Sequence, residues 1–235
     1  MATLNLSTAK NMFIEGHEAS SLYLPRLGKI WEHPYAYQVH STAGTLYYNI
    51  PIPLWCNTVY FEMIGGGGGG QTGNGTNGAS GVPGRGATWV QKGYNLNRAD
   101  GETYVYNYYV GKGGAGGTNS DHSAGQDGEM SEVTIMRKRV GVPDDSIATL
   151  SSTVLGKGGP ASGLSQGATS GGVSSKNSVR NYILLPSAAG VAKEIVGNSP
   201  GGGGGYGGGG YFGARGTGRA GGNGRIYAFF LGDRV

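Results

Sequence analysis

Glycine recurs at every third position in two long tracts of this chain, and that spacing constrains the fold more than any other feature. Steps of three from residue 66 meet Gly at six of seven positions, and steps of three from residue 201 meet Gly at seven of eight. Three residues per turn is the period of the polyproline II helix, so one edge of such a helix would be bare backbone. Bare edges let neighbouring helices approach closely enough for N–H···O=C bonds between them. The spacing therefore predicts polyglycine II helices that pack side by side.

The glycines on these edges are expected to be structural. They are Gly66, Gly69, Gly75, Gly78, Gly81, Gly84, Gly201, Gly204, Gly207, Gly210, Gly213, Gly216 and Gly222.

The distribution of glycine divides the chain into two parts. Of the 50 Gly among 235 residues, 41 lie in four blocks: 65–86, 111–128, 156–172 and 201–224. Strand-like runs rich in β-branched and aromatic residues adjoin the blocks: 59–64, 104–110, 148–155 and 225–231. A helical bundle is excluded, because Gly costs about 1 kcal/mol at each helical position. We predict an all-β fold with polyglycine II helices, in which a small N-terminal β segment (1–64) precedes a glycine-rich, sandwich-like module (65–235).

A flexible linker is the alternative interpretation of the glycine blocks. Ordering Gly carries the largest loss of backbone entropy of any residue, so only a cooperative set of hydrogen bonds, or a trimer that extends it, could offset that cost. However, linkers rarely contain large aromatic residues such as Trp89, Tyr206 and Tyr211. The alternation of glycine blocks with apolar strands also favours an ordered structure.

The net charge and the apolar content of the chain limit which classes of function it can have. Lys and Arg total 18 and Asp and Glu total 14, and the resulting +4 is too small to indicate a nucleic-acid partner by itself. The single cysteine, Cys56, cannot form an internal disulfide. We expect a soluble chain with no export signal and no membrane span, because no apolar stretch approaches the required length.

Two runs near the N-terminus and one glycine turn carry a family resemblance. The runs are Leu22-Tyr23-Leu24 and Lys29-Ile30-Trp31-Glu32, and the turn is Val110-Gly111-Lys112-Gly113-Gly114. The order of these parts resembles the glycine-rich minor tail proteins of long-tailed phages that infect actinobacteria. In that family a Leu-Tyr-Leu-Gly…Lys-Ile-Trp hairpin opens the chain, and here Pro25-Arg26-Leu27-Gly28 lengthens its turn. The glycine blocks are more distantly similar to the tip adhesins of T-even-type phages, which contain a sandwich of polyglycine II helices.

The resemblance implies a structural virion protein of a tail tip or tail fibre that contributes to host attachment. It implies that residues 1–64 dock on other phage tail proteins, and that 65–235 face a host envelope glycan or surface protein. It also implies a homotrimer that is assembled in the host cytoplasm and located in the virion tail. No nucleic-acid partner is expected.

Short motifs that would indicate catalysis, a cofactor or a metal lack their structural context. Gly-x-Gly-x-x-Gly at 73–78 and at 111–116 is followed by no helix-forming sequence that could hold a pyrophosphate. Gly-x-Ser-x-Gly at 163–167 has no His after it in the chain. Asp144 and Asp145 are adjacent and are expected in a turn after Pro143. We therefore expect no catalytic, cofactor-binding or metal-binding residue.

Aromatic and amide residues within the glycine blocks are the candidate receptor contacts. An aromatic ring can cover the apolar face of a sugar while Asn or Gln bonds its hydroxyl groups. The candidates are Gln71, Asn74, Asn77, Asn119, His122, Tyr206, Tyr211 and Phe212. The tyrosines could equally be packing residues between glycine segments.

Two other functions stay open at this point. Arg85, Arg215, Arg219 and Arg225 stand beside Gly, as they do in Gly/Arg-rich segments that bind RNA. A tail-associated depolymerase would instead need two carboxylates that face each other in a cleft.

Overall fold

The computed structural model describes residues 36–118, 120–152, 185–186, 191 and 193–232, and the strand backbone alone at 13–14, 17–18, 21–24, 28–32, 176–177 and 184. The strands are β1 (Phe13–Ile14), β2 (His17–Glu18), β3 (Ser21–Leu24), β4 (Gly28–Glu32), β5 (Ala36–His40), β6 (Leu46–Pro51), β7 (Thr58–Ile64), β8 (Val90–Asn95), β9 (Glu102–Tyr109), β10 (Glu132–Arg139), β11 (Val142–Ser151), β12 (Lys176–Asn177), β13 (Leu184–Leu185) and β14 (Arg225–Leu231). No helix occurs among these residues, and none of them forms a helical segment suited to crossing a membrane.

The strands form two four-stranded antiparallel sheets and three small hairpins. The first sheet has the order β11-β10-β9-β6, and the second has the order β5-β14-β7-β8. The hairpins are β1–β2, β3–β4 and β12–β13. In the hairpin β3–β4, Leu22 pairs with Trp31, so the N-terminal hairpin that the family resemblance implied is present. The all-β prediction is confirmed.

Two of the predicted strands match the structure closely. The runs 59–64 and 225–231 are β7 and β14, and 104–110 corresponds to β9. Residues 148–151 of the run 148–155 form the end of a longer strand, β11, and residues 153–155 lie outside the described part of the chain. The third glycine block, 156–172, also lies outside it.

The turn predicted at Asp144 and Asp145 is wrong, because both residues lie in β11. β11 is paired with β10, and Arg137 of β10 lies directly opposite Asp145. The Lys138 Nζ lies 3.1 Å from Asp144 Oδ2, and the Arg137 Nη2 lies 2.6 Å from Asp145 Oδ2. Cross-strand pairs of opposite charge favour the strand conformation over the turn.

The two sheets pack face to face through alternate side chains of their central strands. The Phe61 ring of β7 meets the Tyr106 ring of β9 edge-on, with 5.3 Å between centroids, and Phe230 of β14 lies 6.3 Å from Tyr106. Val133 and Ile135 of β10 belong to the same buried cluster. This apolar core forms a β-sandwich, in which one face of each sheet is removed from water.

The outer face of the second sheet carries a second apolar cluster. Tyr227, Phe229 and Leu231 of β14 are buried there together with Leu185. The Trp89 Nε1 donates a hydrogen bond of 3.0 Å to the Pro186 carbonyl, and this bond holds the chain near residue 185 against the outer face of the sheet.

Each described glycine block folds back on itself and continues the strands beyond one end of the sandwich. The block after β7 forms segments 65–74 and 78–87, and the second of these leads into β8. The segments 111–118 and 121–129 join β9 to β10 in the same way, while 194–198, 201–210 and 213–224 precede β14. We call these seven segments the glycine bundle.

Strands from both predicted parts of the chain share the two sheets. β5 and β7, which precede residue 65, lie on either side of β14, and β6 pairs with β9. The division of the chain into an attachment segment and a host-facing module stays a prediction.

Candidate functional site

The segment 65–74 lies at the centre of the glycine bundle and bonds to its neighbours with a period of three. Nine consecutive backbone N–H groups, from Gly66 to Asn74, donate in rotation to segments 121–129, 213–224 and 78–87, with N···O distances of 2.8–3.1 Å. The first three acceptors are the carbonyls of Glu129, Gly222 and Arg85. Such a rotation requires successive N–H groups to point about 120° apart around the segment.

The carbonyl groups of the central segment accept bonds from two further segments. The N–H groups of Gly204, Gly207 and Gly210 donate to the carbonyls of Gly68, Gln71 and Asn74. The N–H groups of Gly114 and Gly117 donate to Gly67 and Gly70. All residues from 61 to 73 are buried. A buried backbone needs internal partners for its polar groups, and five neighbouring segments supply them here.

Close approach explains why these positions are glycine. A Cβ at Gly70 would fall on the Gly205 carbonyl oxygen, and one at Gly69 would fall on the Ala115 carbonyl oxygen. Adjacent glycines therefore face different neighbouring segments. Because the central segment is enclosed on several sides, it needs glycine on more than the single edge that the spacing predicted.

The thirteen glycines expected to be structural fall into three groups. A Cβ would meet neighbouring backbone at Gly66, Gly69, Gly75, Gly81, Gly84, Gly204, Gly207, Gly210 and Gly222, and it would meet the Glu194 side chain at Gly216. Gly78, Gly201 and Gly213 have positive φ, at 73°, 71° and 84°.

Three turns meet at the end of the bundle that lies away from the sandwich. They are 74–78, 120–123 and 210–215, and we call them the distal face. The Gly213 N–H donates to the Gly75 carbonyl at 2.9 Å, and the Gly78 N–H donates to the Gly210 carbonyl at 3.0 Å. The first and third turns are thereby joined through their backbones.

Asp121 connects all three turns of the distal face. Its Oδ1 accepts hydrogen bonds from the Gly75 N–H at 2.9 Å and from Arg215 Nη1 at 3.2 Å, and its Oδ2 accepts from the Thr76 hydroxyl at 3.3 Å. The pKa of Asp121 lies below its usual value, first because of the Gly75 N–H and then because of Thr76 and Arg215, while desolvation opposes the shift. The carboxylate is therefore ionised at neutral pH and holds the turns together.

Five of the candidate contact residues come together at the distal face. Asn74 and Asn77 shape the first turn, where the Asn74 Oδ1 accepts from the Thr76 and Asn77 N–H groups. His122 lies in the second turn and is partly buried. Tyr211 and Phe212 lie in the third turn, with exposed fractions of 64% and 106%. The face thus combines two exposed aromatic rings with polar turn residues.

The other three candidates are placed differently. The Gln71 side chain is buried in the bundle, where its Nε2 donates to the His122 carbonyl and its Oε1 accepts from the Val82 N–H. Tyr206 is half-buried on the segment 201–210. Asn119 lies outside the described residues.

Sequence reasoning missed Asp121 and Thr76 as organisers of the distal face. Asp121 lies next to His122 in a polar loop, and short acidic side chains in such loops commonly accept backbone hydrogen bonds. That signal indicates a capping role, but it does not identify the partner, which lies 46 residues away in the chain.

A polar recess lies at the opposite end of the sandwich. It has a volume of about 530 Å³ and is lined by Asn57, Thr58, Asn95, Leu96, Asn97 and Arg98. The Arg98 guanidinium binds the backbone of its own chain, because its Nε and Nη2 donate to the carbonyls of Cys56 and Pro53.

In the part of the chain that the structure describes, no group of three His, Cys, Asp or Glu is arranged to hold a metal ion.

Comparison with known proteins identifies the family. No curated protein matches the chain. The model of a glycine-rich domain family matches residues 41–228, which include the whole first sheet, part of the second sheet and the whole glycine bundle. The chain therefore belongs to the glycine-rich domain family.

Proposed function

We propose that the protein is a structural component of a phage tail tip or tail fibre, and that its distal face contacts the host surface. The single observation that carries the proposal is the exposure of Tyr211 and Phe212 on turns that the glycine bundle holds in place. Exposed apolar side chains that adjoin one another are typical of interaction sites, whereas single scattered ones are common on any protein surface. The resemblance to minor tail proteins supplies the biological setting.

The glycine bundle would serve as the rigid support of this face. We propose that its segments are polyglycine II helices, which the hydrogen-bond rotation from Gly66 to Asn74 supports because it has their period of three. The segment 111–118 supports the same assignment: Gly111, Gly114 and Gly117 are buried, whereas residues 112, 115 and 118 are exposed. A close-packed backbone makes a stiff support that leaves the turns free to differ between relatives.

The ligand we propose is a glycan of the host envelope. Aromatic rings beside polar turn residues suit a sugar, because a ring covers its apolar face while side chains such as that of Thr76 bond its hydroxyl groups. Weak contacts of this kind would sum to firm attachment in a homotrimer, where linked sites raise the effective concentration. Residues 1–64 would dock on other tail proteins in the virion.

Binding to host cells tests the proposal. Fluorescently labelled protein should bind intact cells of the host bacterium, and Tyr211→Ala combined with Phe212→Ala should reduce binding by about tenfold or more. Tyr48→Ala is the matched control, because Tyr48 is an exposed tyrosine (61%) on β6, away from the distal face. Equal loss in the control, or no binding by the unchanged protein, would overturn the proposal.

Location and activity are tested separately. Antibody to the protein should label the tail end of assembled virions in electron micrographs, and labelling elsewhere would contradict the tail assignment. The protein should release no reducing sugars from host envelope, as a depolymerase would. Its RNA affinity should show no steep dependence on salt, as a Gly/Arg-rich RNA-binding protein would.

A further inference from the structure

Phe212 has a backbone conformation that its residue type disfavours. Its φ is 57°, and the next residue, Gly213, has a φ of 84°. The Ala214 N–H donates to the Tyr211 carbonyl at 3.2 Å, which closes a four-residue turn with positive φ at both central positions. Turns of this type strongly prefer Asn, Asp or Gly at the first central position. Phenylalanine stands there instead.

The cost of this placement follows from the Cβ atom. In the left-handed region the Cβ of an L-residue crowds the following carbonyl oxygen, and only Gly, Asn and Asp adopt the region readily. The neighbouring Gly213 also has positive φ, but it has no Cβ and adopts this conformation without that cost, although a Cβ there would meet nothing within 4 Å. Of the two central residues of the turn, Phe212 is therefore the strained one.

Among the described residues, the side chain of Phe212 finds no packing that offsets this cost. Its exposed fraction of 106% is the highest among the exposed large hydrophobic residues of the described chain. A buried phenylalanine gains stability from the apolar surface it removes from water, but an exposed one gains none. An uncommon backbone conformation combined with an unpacked ring points to a contact outside the chain.

The glycine bundle holds the turn in this conformation. The Gly210 N–H donates to the Asn74 carbonyl at 2.9 Å before the turn, and the Gly213 N–H donates to the Gly75 carbonyl at 2.9 Å after it. The two bonds lie on either side of Phe212, so the turn cannot relax without breaking one of them. The Tyr211 ring rests beside Gly78, where a Cβ would approach its Cζ at 2.9 Å.

We infer that Phe212 is the principal specificity-determining contact of the distal face, presented outward by a strained turn, and that its ligand offers an apolar face such as that of a pyranose ring. The inference rests on the proposed function and names the residue and the ligand chemistry of the same site. The strain makes a prediction that is independent of binding: replacing Phe212 should stabilise the protein wherever the new residue tolerates positive φ.

Val140 provides the matched control. It too is an exposed apolar residue (96%) that precedes a glycine with positive φ, Gly141 at 72°. Val140 itself does not have positive φ, and it lies in the β10–β11 turn at the opposite end of the sandwich. Asparagine should therefore relieve strain at position 212 and relieve none at position 140.

Thermal unfolding tests the strain. Phe212→Asn should raise the melting temperature by about 2–4 °C, whereas Phe212→Ala should leave it nearly unchanged, because alanine keeps the Cβ. Val140→Asn should give no rise. A melting temperature that does not rise in Phe212→Asn, or that rises equally in Val140→Asn, would overturn the strain argument.

Binding to intact host cells tests the contact. Phe212→Asn and Phe212→Ala should both bind at least about tenfold more weakly, and Phe212→Tyr, which keeps an aromatic ring, should retain binding. Periodate treatment of the cells should abolish binding of the unchanged protein, and protease treatment should not. Loss after protease alone would overturn the sugar ligand in favour of a surface protein.

The outcomes separate this inference from the proposed function. If the unchanged protein binds cells and both Phe212 variants bind equally well, the role of Phe212 is wrong while the tail-tip function stands. If the unchanged protein binds no cells, both are wrong.

Discussion

In the sandwich the buried surface belongs to side chains, whereas in the glycine bundle it belongs to the backbone. Phe61, Tyr106 and Phe230 fill the space between the sheets, and the main chain of each strand bonds mainly to the strands beside it. In the bundle the segment 65–74 has few side chains to bury, and its N–H and C=O groups bond to five segments around it. Water is thus excluded by apolar side chains in the sandwich and by hydrogen-bonded backbone in the bundle.

Because of this difference, the two regions tolerate different amino-acid substitutions. A side-chain core loses stability when atoms are removed, because a cavity remains. A backbone core loses stability when atoms are added, because the neighbouring main chain cannot move aside without breaking its own hydrogen bonds. The bundle is therefore more sensitive to the smallest side chain than the sandwich is.

The largest expected effect lies in the sandwich. Phe61→Ala removes a fully buried ring that contacts Tyr106 across the two sheets. We expect a loss of about 4 kcal/mol in the free energy of unfolding, measured by urea denaturation. The exposed Tyr48→Ala in β6 is the control and should cost less than about 1 kcal/mol. A small effect at Phe61 would contradict the side-chain core.

The next effect lies in the glycine bundle. Gly70→Ala adds one methyl group that would fall on the Gly205 carbonyl oxygen, and we expect a loss of about 3 kcal/mol. Ala115→Val adds two methyl groups at an exposed position of the segment 111–118 and should change stability by less than about 0.5 kcal/mol. Equal effects in the two variants would show that the segments do not pack as described.

The junction of the two regions depends on Ser131. Its buried hydroxyl donates to the Ile64 carbonyl at 2.7 Å and accepts from the Gly111 N–H at 3.0 Å, at the points where β7 and β9 pass into the bundle. Ser131→Ala leaves both backbone groups without this partner, so we expect a loss of about 2 kcal/mol in chemical denaturation. Ser146→Ala, at an exposed position of β11, should be neutral.

The smallest effect is a dependence on pH, between about pH 6.5 and 4, that arises in the sandwich. Burial lowers the pKa of His40 to about 4, and its ring stacks on Tyr108 with 3.8 Å between centroids. The His40 imidazole becomes protonated near pH 6.5 in the unfolded chain but only near pH 4 in the folded chain. Stability should therefore fall by about 1–2 kcal/mol as the pH drops through this window, less than the full shift implies because the ring is partly exposed.

His40→Gln provides the comparison for this prediction. The difference in stability between the variant and the unchanged protein should shrink as the pH falls from about 6.5 to about 4. A difference that stays constant across that range would contradict the buried, neutral imidazole. Gly70→Ala should show the same pH dependence as the unchanged protein.

The glycine segments and the strands of the sandwich are marked in the sequence by different signals. The three-residue spacing of Gly identifies positions such as Gly66 and Gly69 because close approach leaves no room for a Cβ. The strands β7 and β14 are also evident, since their apolar residues are consecutive. β8 was not predicted, because its sequence, Val-Gln-Lys-Gly-Tyr-Asn, is polar and becomes a strand only by pairing with β7.

The distal face could be predicted only in part. Tyr211 and Phe212 are visible as aromatic residues within a glycine block, but nothing local indicates the positive φ of Phe212, which hydrogen bonds from a different block impose. Gln71 was expected among the contacts with Asn74, because both are amides. Its burial follows from its place inside the central segment rather than at a turn.

Amide hydrogen exchange of residues 66–74 tests the backbone core most directly. The described bonds predict that these amides exchange as slowly as those of β7 and β9, because all nine N–H groups are bonded inside the protein. Exchange at the rate of an unstructured peptide, with β7 and β9 still protected, would contradict the central claim that the glycine segments form a rigid, laterally bonded core.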